Sequence, residues 1–142
     1  MPMDRSQDTR ERQRLEALVQ RLSDAELTRQ MDDGWTVAAV LAHLAFWDRR
    51  AAVLVERWRR TGVGRSEAEA DAINDAARAQ WLALPPRVAA EQAVEAARAI
   101  DAALDAAPDL VEQIVRSGSP VNVSRAVHRR EHLDQIERAL AR

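Results

Sequence analysis

Apolar residues recur at spacings of three and four along the chain, and no segment alternates between apolar and polar residues as a half-buried strand would. Alanine, leucine, glutamate and arginine dominate, whereas glycine occurs only 4 times in 142 residues. These residues favour helices over strands. The pattern therefore predicts an all-α fold. The length suits one well-filled core, so we expect a single domain over residues 1–142.

Capping residues and prolines predict where the helices begin and end. Ser23 and Glu26 have the spacing of a capping box, and Thr36 is the predicted N-cap of a long helix that stops at residues 61–64. Ser66 is the predicted N-cap of a helix over residues 67–83, which the pair Pro85-Pro86 interrupts. The other predicted segments are helices over residues 5–21, 86–106 and 122 or 124 to 140, a turn or two over 109–115, and a loop over 116–122.

Composition excludes several kinds of chemistry. The chain has no cysteine and no lysine, which removes a thiol nucleophile, a Cys-bearing zinc site, a Schiff-base lysine and a lysine general base. With 21 basic and 23 acidic residues the net charge is −2, so we expect no nucleic-acid surface. The groups left for chemistry near neutral pH are histidines, carboxylates and a metal-bound water.

No apolar stretch has the form of a signal peptide, and no window approaches the roughly 18 apolar residues of a membrane span. We therefore expect a cytoplasmic protein without a membrane partner.

The three histidines are the strongest candidates for a site. His43 lies on the apolar face of the long predicted helix, while His128 and His132 are four residues apart near the C-terminus. Side chains four apart on a helix share one face, with Cβ atoms about 5–6 Å apart, and a third imidazole would complete a three-nitrogen metal site with an open position. The residues alone leave a second interpretation open, in which all three are ordinary surface or hydrogen-bonded core histidines.

Six further residues are candidates for a substrate pocket or for contacts with the ligand imidazoles: Trp47, Asp48, Asn74, Arg125, Arg129 and Glu131. The tryptophan and the asparagine could line a cleft, the carboxylates could orient an imidazole, and the arginines could receive a substrate carboxylate. For each of these residues the alternative is an ordinary structural role outside the site. We expect core packing for the tryptophan, and solvent exposure for the two carboxylates and the two arginines.

Two segments resemble the DinB/YfiT-like superfamily, which includes the N-terminal domains of mycothiol-dependent maleylpyruvate isomerases. Residues 34–48, with Gly-Trp-Thr-Val at the helix start and Val-Leu-Ala-His-Leu-Ala around His43, resemble the second helix of these proteins. Residues 122–136, with His-x-x-Glu-His-Leu-x-x-Ile from His128, resemble the last helix, and residues 71–75 are also similar. In length and helix order the resemblance covers essentially the whole chain.

The resemblance implies a four-helix bundle of up-down-down-up topology, a homodimer, and a divalent ion held by His43, His128 and His132. Imidazole ligands favour zinc or nickel, with manganese and iron as the other candidates. It also implies a small-molecule substrate and a low-molecular-weight thiol such as mycothiol or bacillithiol.

Two classes of function remain open at this point. The first is a metal-dependent enzyme, in which a small-thiol-dependent transferase or detoxification reaction is preferred over hydrolysis. No segment corresponds to the C-terminal part of the full maleylpyruvate isomerases, so that particular reaction is not expected. The second class is a non-catalytic stress-response or ligand-sequestering module built on the same bundle.

Overall fold

The all-α prediction is confirmed by the computed structural model, which describes residues 3–119 and 121–142. These residues contain no strand, only an isolated bridge between Gln30 and Thr36. A 3₁₀ turn covers Asp32–Gly34. The α-helices are α1 (Ser6–Arg21), α2 (Asp24–Leu27), α3 (Val37–Thr61), α4 (Ala70–Ala83), α5 (Pro86–Asp105), α6 (Pro108–Ser117) and α7 (Ala126–Ala141). None of the helices described is long and apolar enough to cross a membrane.

Most of the predicted helix ends are confirmed. The Ser23 hydroxyl accepts the Glu26 N–H, and the Glu26 carboxylate accepts the Ser23 N–H, as a capping box requires. The Thr36 side chain accepts the N–H of Ala39 at the start of α3. Gly62, which has a φ of 84°, ends that helix. The proline pair separates α4 from α5, because Pro86 is the first residue of α5.

Three boundaries differ from the prediction. Helix α4 begins at Ala70, because Ser66 does not cap it: the Ser66 hydroxyl and carbonyl accept hydrogen bonds from Arg50 instead. Helix α6 has ten residues where a turn or two was expected. Helix α7 begins only at Ala126, which lengthens the loop before it. Pro120 in that loop, and Met1 and Pro2 at the start of the chain, lie outside the described residues.

One core cluster lies between four long helices, and a second lies between α3, α5, α6 and the loop before α7. Helix α3 packs along α5, α1 packs on α5 and α7, and α7 also contacts α3. The buried face of α5 consists largely of alanines, which allow close approach of its neighbours: Ala89, Ala90, Ala93, Ala96 and Ala97. Leu41 and Leu44 of α3 and Leu133 of α7 meet in the same core. His43 therefore lies where the buried face of α3 turns towards α7.

The start of α7 is held by a residue of α1. Asp8 is 2% exposed, and its Oδ1 accepts the backbone N–H groups of Arg125 (2.9 Å) and Ala126 (2.8 Å). A carboxylate at this position satisfies N–H groups that have no partner within the helix and complements the helix dipole. This contact, formed across more than a hundred residues of sequence, fixes the helix that carries two of the three histidines.

Candidate metal centre

The three histidines converge in the structure. His43 extends from α3, and His128 and His132 extend from the first two turns of α7. The Nε2 atom of His43 is 3.1 Å from Nε2 of His128 and 3.1 Å from Nε2 of His132. Within residues 3–119 and 121–142, this is the one cluster of three or more histidine or acidic side chains arranged to hold a metal ion.

The spacing of these nitrogens fits a shared cation. Zinc binds imidazole nitrogen at about 2.0–2.1 Å, so two such ligands at angles of about 90–110° are roughly 2.9–3.4 Å apart. Hydrogen bonding is a poorer account of the cluster. The Nε2 of a neutral imidazole is either one donor or one acceptor, yet that of His43 faces two other nitrogens at once. The donor set, three imidazoles, is one that zinc and nickel favour.

His132 is oriented by Gln135, a residue that the sequence reasoning missed. Its Nδ1 is 2.9 Å from Oε1 of Gln135, one turn further along α7. An amide oxygen only accepts hydrogen bonds, so Nδ1 carries the proton and Nε2 presents its lone pair to the cluster. The i,i+3 spacing of His132 and Gln135 on one helix was the sequence signal that could have predicted this contact. Glu131, which was also a candidate for orienting an imidazole, is exposed to solvent, as we expected.

His43 is held by packing. Its ring lies edge-on to Trp35 and Trp81, with centroids 5.9 and 5.5 Å away, and only 7% of the residue is exposed. Its Nδ1 is buried without a hydrogen-bond partner in the part of the chain described. The two tryptophans, which the sequence did not single out for the site, thus give the cluster an apolar wall.

Burial keeps two of the imidazoles neutral. It lowers the pKa of His43 to about 4, with a further contribution from the charge of His132, while Asn74 acts in the opposite direction. Burial also lowers the pKa of His128 to about 3, and the charges of His132, His43 and Arg125 add to the effect. Both rings therefore hold free lone pairs at neutral pH, the form in which histidine binds metals.

These shifts predict a pH dependence for the metal-free protein. Unfolding returns both histidines to a pKa near 6.5, so below that pH the unfolded chain binds more protons than the folded one. The free energy of unfolding should therefore be highest above pH 7 and should fall as the pH drops from 6.5 towards 4, by about 3 kcal/mol per histidine. Urea unfolding of metal-stripped protein at a series of pH values measures this.

The control for this prediction is His128→Gln, which removes one titrating group and keeps a polar side chain. Its stability should fall less steeply between pH 6.5 and 4 than that of the parent protein. Identical pH profiles for the two proteins would contradict the assignment of the lowered pKa to His128.

Asp48, Arg125 and Arg129 do not face solvent, and that expectation was wrong. They are 2%, 7% and 1% exposed. Nε and Nη2 of Arg125 bind Asp48 at 2.9 and 2.8 Å, while Arg129 makes two bonds to Asp101 of α5, at 3.0 and 2.9 Å, and lies 3.4 Å from Asp48. The charges can be buried because they compensate one another. This network joins α3 and α5 to the start of α7.

Trp47 and Asn74 line a cavity beside His43 and His128. Trp47 is half-buried and belongs to neither core cluster, so the expectation that it packs in the core was wrong. Trp47 Nε1 donates to Asn74 Oδ1 at 2.8 Å, which links α3 to α4. Asn74 and His43 lie in the walls of two cavities. One, of about 430 Å³, is also lined by His132 and Gln135, and the other, of about 360 Å³, by His128, Trp47 and Arg125. The histidine cluster thus lies between two openings of ligand size.

The all-helical fold and the three converging histidines place this protein among helical proteins with a candidate metal centre. Within that class, residues 9–134 match the family model of the mycothiol maleylpyruvate isomerase N-terminal domain. The chain belongs to this DinB/YfiT-like family, which confirms the resemblance carried by residues 34–48 and 122–136. No curated protein and no solved structure matches the chain.

Proposed function

We propose that this protein is a metal-dependent enzyme acting on a small molecule, with His43, His128 and His132 as the ligands of one divalent ion. The convergence of three Nε2 atoms, two pairs of them 3.1 Å apart, carries the proposal. Zinc or nickel is the preferred ion, and manganese and iron are the other candidates. When bound by three neutral imidazoles, such an ion keeps its positive charge and an open position, and it can activate water or stabilise a thiolate.

The protein's own residues would hold and shape this centre. Gln135 fixes the tautomer of His132, and the apolar wall of Trp35 and Trp81 limits access of water to His43. The cavities on either side of the cluster offer separate places for two reactants. Trp47 and Asn74 stand where they would contact a substrate, whereas exposed Glu131 is not assigned a role.

A small thiol is the proposed second reactant. The chain contains no cysteine, so any thiolate at the centre must come from another molecule. The name of the matching family supports mycothiol or a related thiol. We therefore prefer a thiol-dependent transferase or detoxification reaction over hydrolysis.

Cobalt substitution tests this function. Protein loaded with one Co²⁺ should develop a sulfur-to-cobalt charge-transfer absorption when titrated with mycothiol, and S-methyl mycothiol should leave the spectrum unchanged. A protein that binds cobalt but shows no such absorption with mycothiol or bacillithiol would exclude the thiol and favour hydrolysis. Failure to bind any stoichiometric ion would overturn the metal centre itself.

A ligand-sequestering module is the second candidate. It is favoured by one observation: among the described residues, the walls of the cavity beside His128 carry no carboxylate that could serve as a general acid or base. Saturable binding of a small molecule without formation of product, over many hours at high protein concentration, would select this function over catalysis.

The Gln135 contact makes a separate prediction about metal affinity. Gln135→Leu should raise the dissociation constant for zinc by about 10–100-fold, because His132 loses the acceptor that fixes its tautomer. Competition with a chromophoric chelator measures the change. Gln135→Glu retains an acceptor and should bind zinc at least as well as the parent. Equal affinities for the leucine variant and the parent would mean that Gln135 does not orient the ligand.

We further propose a single-domain four-helix bundle of up-down-down-up topology, formed by the four long helices α1, α3, α5 and α7. Their mutual packing supports this arrangement. A cytoplasmic homodimer without nucleic-acid or membrane partners remains a proposal that rests on the family and on the composition. Light scattering of the purified protein tests the dimer.

A further inference from the structure

Arg50 is a half-buried cation without an acidic partner. Its Nη2 donates to the carbonyl and to the hydroxyl of Ser66, and its guanidinium lies 5.6 Å from the ring centre of Trp47. Within the described residues no carboxylate oxygen lies within ion-pairing distance of it, whereas Arg125 and Arg129 both pair with Asp48. Arg50 is thus held in place by uncharged groups, with its charge left uncompensated.

A second guanidinium faces the same cavity. Arg50 and Arg125 both line the space of about 360 Å³ that reaches His43 and His128. Burial, and after it the charge of Arg125, lowers the pKa of the Arg50 guanidinium, so the two cations act on each other. Asp48 pairs with Arg125, but among the described residues no acidic side chain lines the cavity to offset the charge of Arg50. The cavity therefore has excess positive charge.

A positive charge that is held in place by uncharged groups remains available to an anionic ligand. A guanidinium offers five donors in a rigid fork that matches the oxygens of carboxylates and phosphates. Both hydrogen bonds of Arg50 go from Nη2 to Ser66. Its Nε and Nη1 therefore have no hydrogen-bond partner among the described residues. Folding has already fixed the side chain, so little conformational entropy remains to be lost on binding.

We propose that Arg50 is the main donor of an oxyanion-binding subsite, which holds a carboxylate or phosphate group of a small molecule beside His43 and His128. Arg125 adds its positive charge to this subsite, because its Nε and Nη2 already bind Asp48 and its Nη1 donates to the carbonyl of Asn122. Trp47 and Ser66 position Arg50, and Asp48 positions Arg125. The size of the cavity admits a ligand whose other end reaches the histidines. That the bound molecule is the substrate rests on the proposed function, whereas binding of the oxyanion requires no metal.

Calorimetric titration of metal-stripped protein, with the chelator removed, tests the subsite. Succinate and inorganic phosphate are the anionic probes, and succinamide is the neutral control of the same shape as succinate. At least one anion should bind in a saturable way that weakens with salt, and succinamide should not bind. The tighter of the two anions identifies the oxygen group that the arginines prefer.

Matched variants locate the binding. Arg50→Gln should weaken anion binding at least about tenfold, and Arg50→Lys should be intermediate because it keeps the charge but loses the fork. Arg49→Gln removes an exposed arginine from the neighbouring position of α3 and should change nothing. Circular dichroism establishes that the variants fold.

Absence of anion binding in the parent protein, equal binding of succinamide, or equal affinity of Arg50→Gln and the parent would each overturn the subsite. Zinc titrations of the same samples keep the two proposals separate. A protein that binds succinate but no zinc would retain the subsite and lose the proposed metal centre. A protein that binds zinc but no succinate would retain the metal centre and lose the subsite.

Discussion

Arg129→Met is expected to lower the free energy of unfolding by about 2–3 kcal/mol, because Asp101 loses two buried hydrogen bonds from a charged donor, although Arg5 and Arg12 remain as its cations. Arg129 is 1% exposed and makes two hydrogen bonds to Asp101, which is itself 3% exposed. It also lies 3.4 Å from Asp48 and donates to the carbonyl of Asp8 at 3.0 Å. Methionine fills a similar volume, so the loss reflects mainly the buried acceptors that lose the hydrogen bonds from Arg129.

Urea unfolding at pH 7, followed by circular dichroism, measures this effect. The matched control is Arg130→Met: Arg130 is the next residue, its side chain is 42% exposed, and it pairs with Glu11 at 3.2 Å. Its loss should cost no more than about 1 kcal/mol, because Arg130 is largely in solvent and buried Glu11 keeps Arg14 as a partner at 3.3 Å. Adding Asp101→Leu to Arg129→Met should increase the loss, because Arg5 and Arg12 also pair with Asp101 and would lose their acidic partner. Similar losses for the two single variants would contradict the buried-network interpretation.

The parts of the fold that the sequence predicted well depend on local rules. Thr36 begins α3 through its own side chain, Gly62 ends it through its backbone conformation, and the two prolines separate α4 from α5. Each signal acts within about four residues of where it stands. The same locality made the pairing of His128 with His132 predictable, since helical spacing alone puts them on one face.

The parts that the sequence did not predict depend on contacts between distant segments. An Asp in an arginine-rich helix is ordinarily exposed, and Asp48 is buried only because α7 brings two arginines to it. Likewise, Asp8 caps α7 from the other end of the chain, and Ser66 binds Arg50 instead of capping α4. Nothing within one helix specifies such partners. The resemblance to a family placed His43 with the other two histidines, because periodicity alone left its partner helix open.

The second large effect expected concerns the histidines themselves. His132→Ala should lower zinc affinity at least about a hundredfold, the upper end of what loss of an orienting partner costs, because it removes one of only three nitrogen donors. The parent protein should gain about 2.7 kcal/mol of stability from zinc at a hundred times its dissociation constant. The variant should gain almost none at that concentration. Thermal unfolding with and without zinc, and metal analysis of protein purified without a histidine tag, measure both effects.

Glu131→Ala is the matched control, because Glu131 is exposed on the same helix and belongs to no proposed ligand set. It should bind zinc as the parent does. Without metal, His132→Ala should be no more than modestly less stable than the parent, since His132 is only half-buried and its loss relieves crowding with His43. This separates a ligand from a packing residue: a structural histidine would lower the stability with and without zinc alike. Zinc affinity unchanged in the variant would mean that the three imidazoles meet for packing, and the metal centre would have to be abandoned.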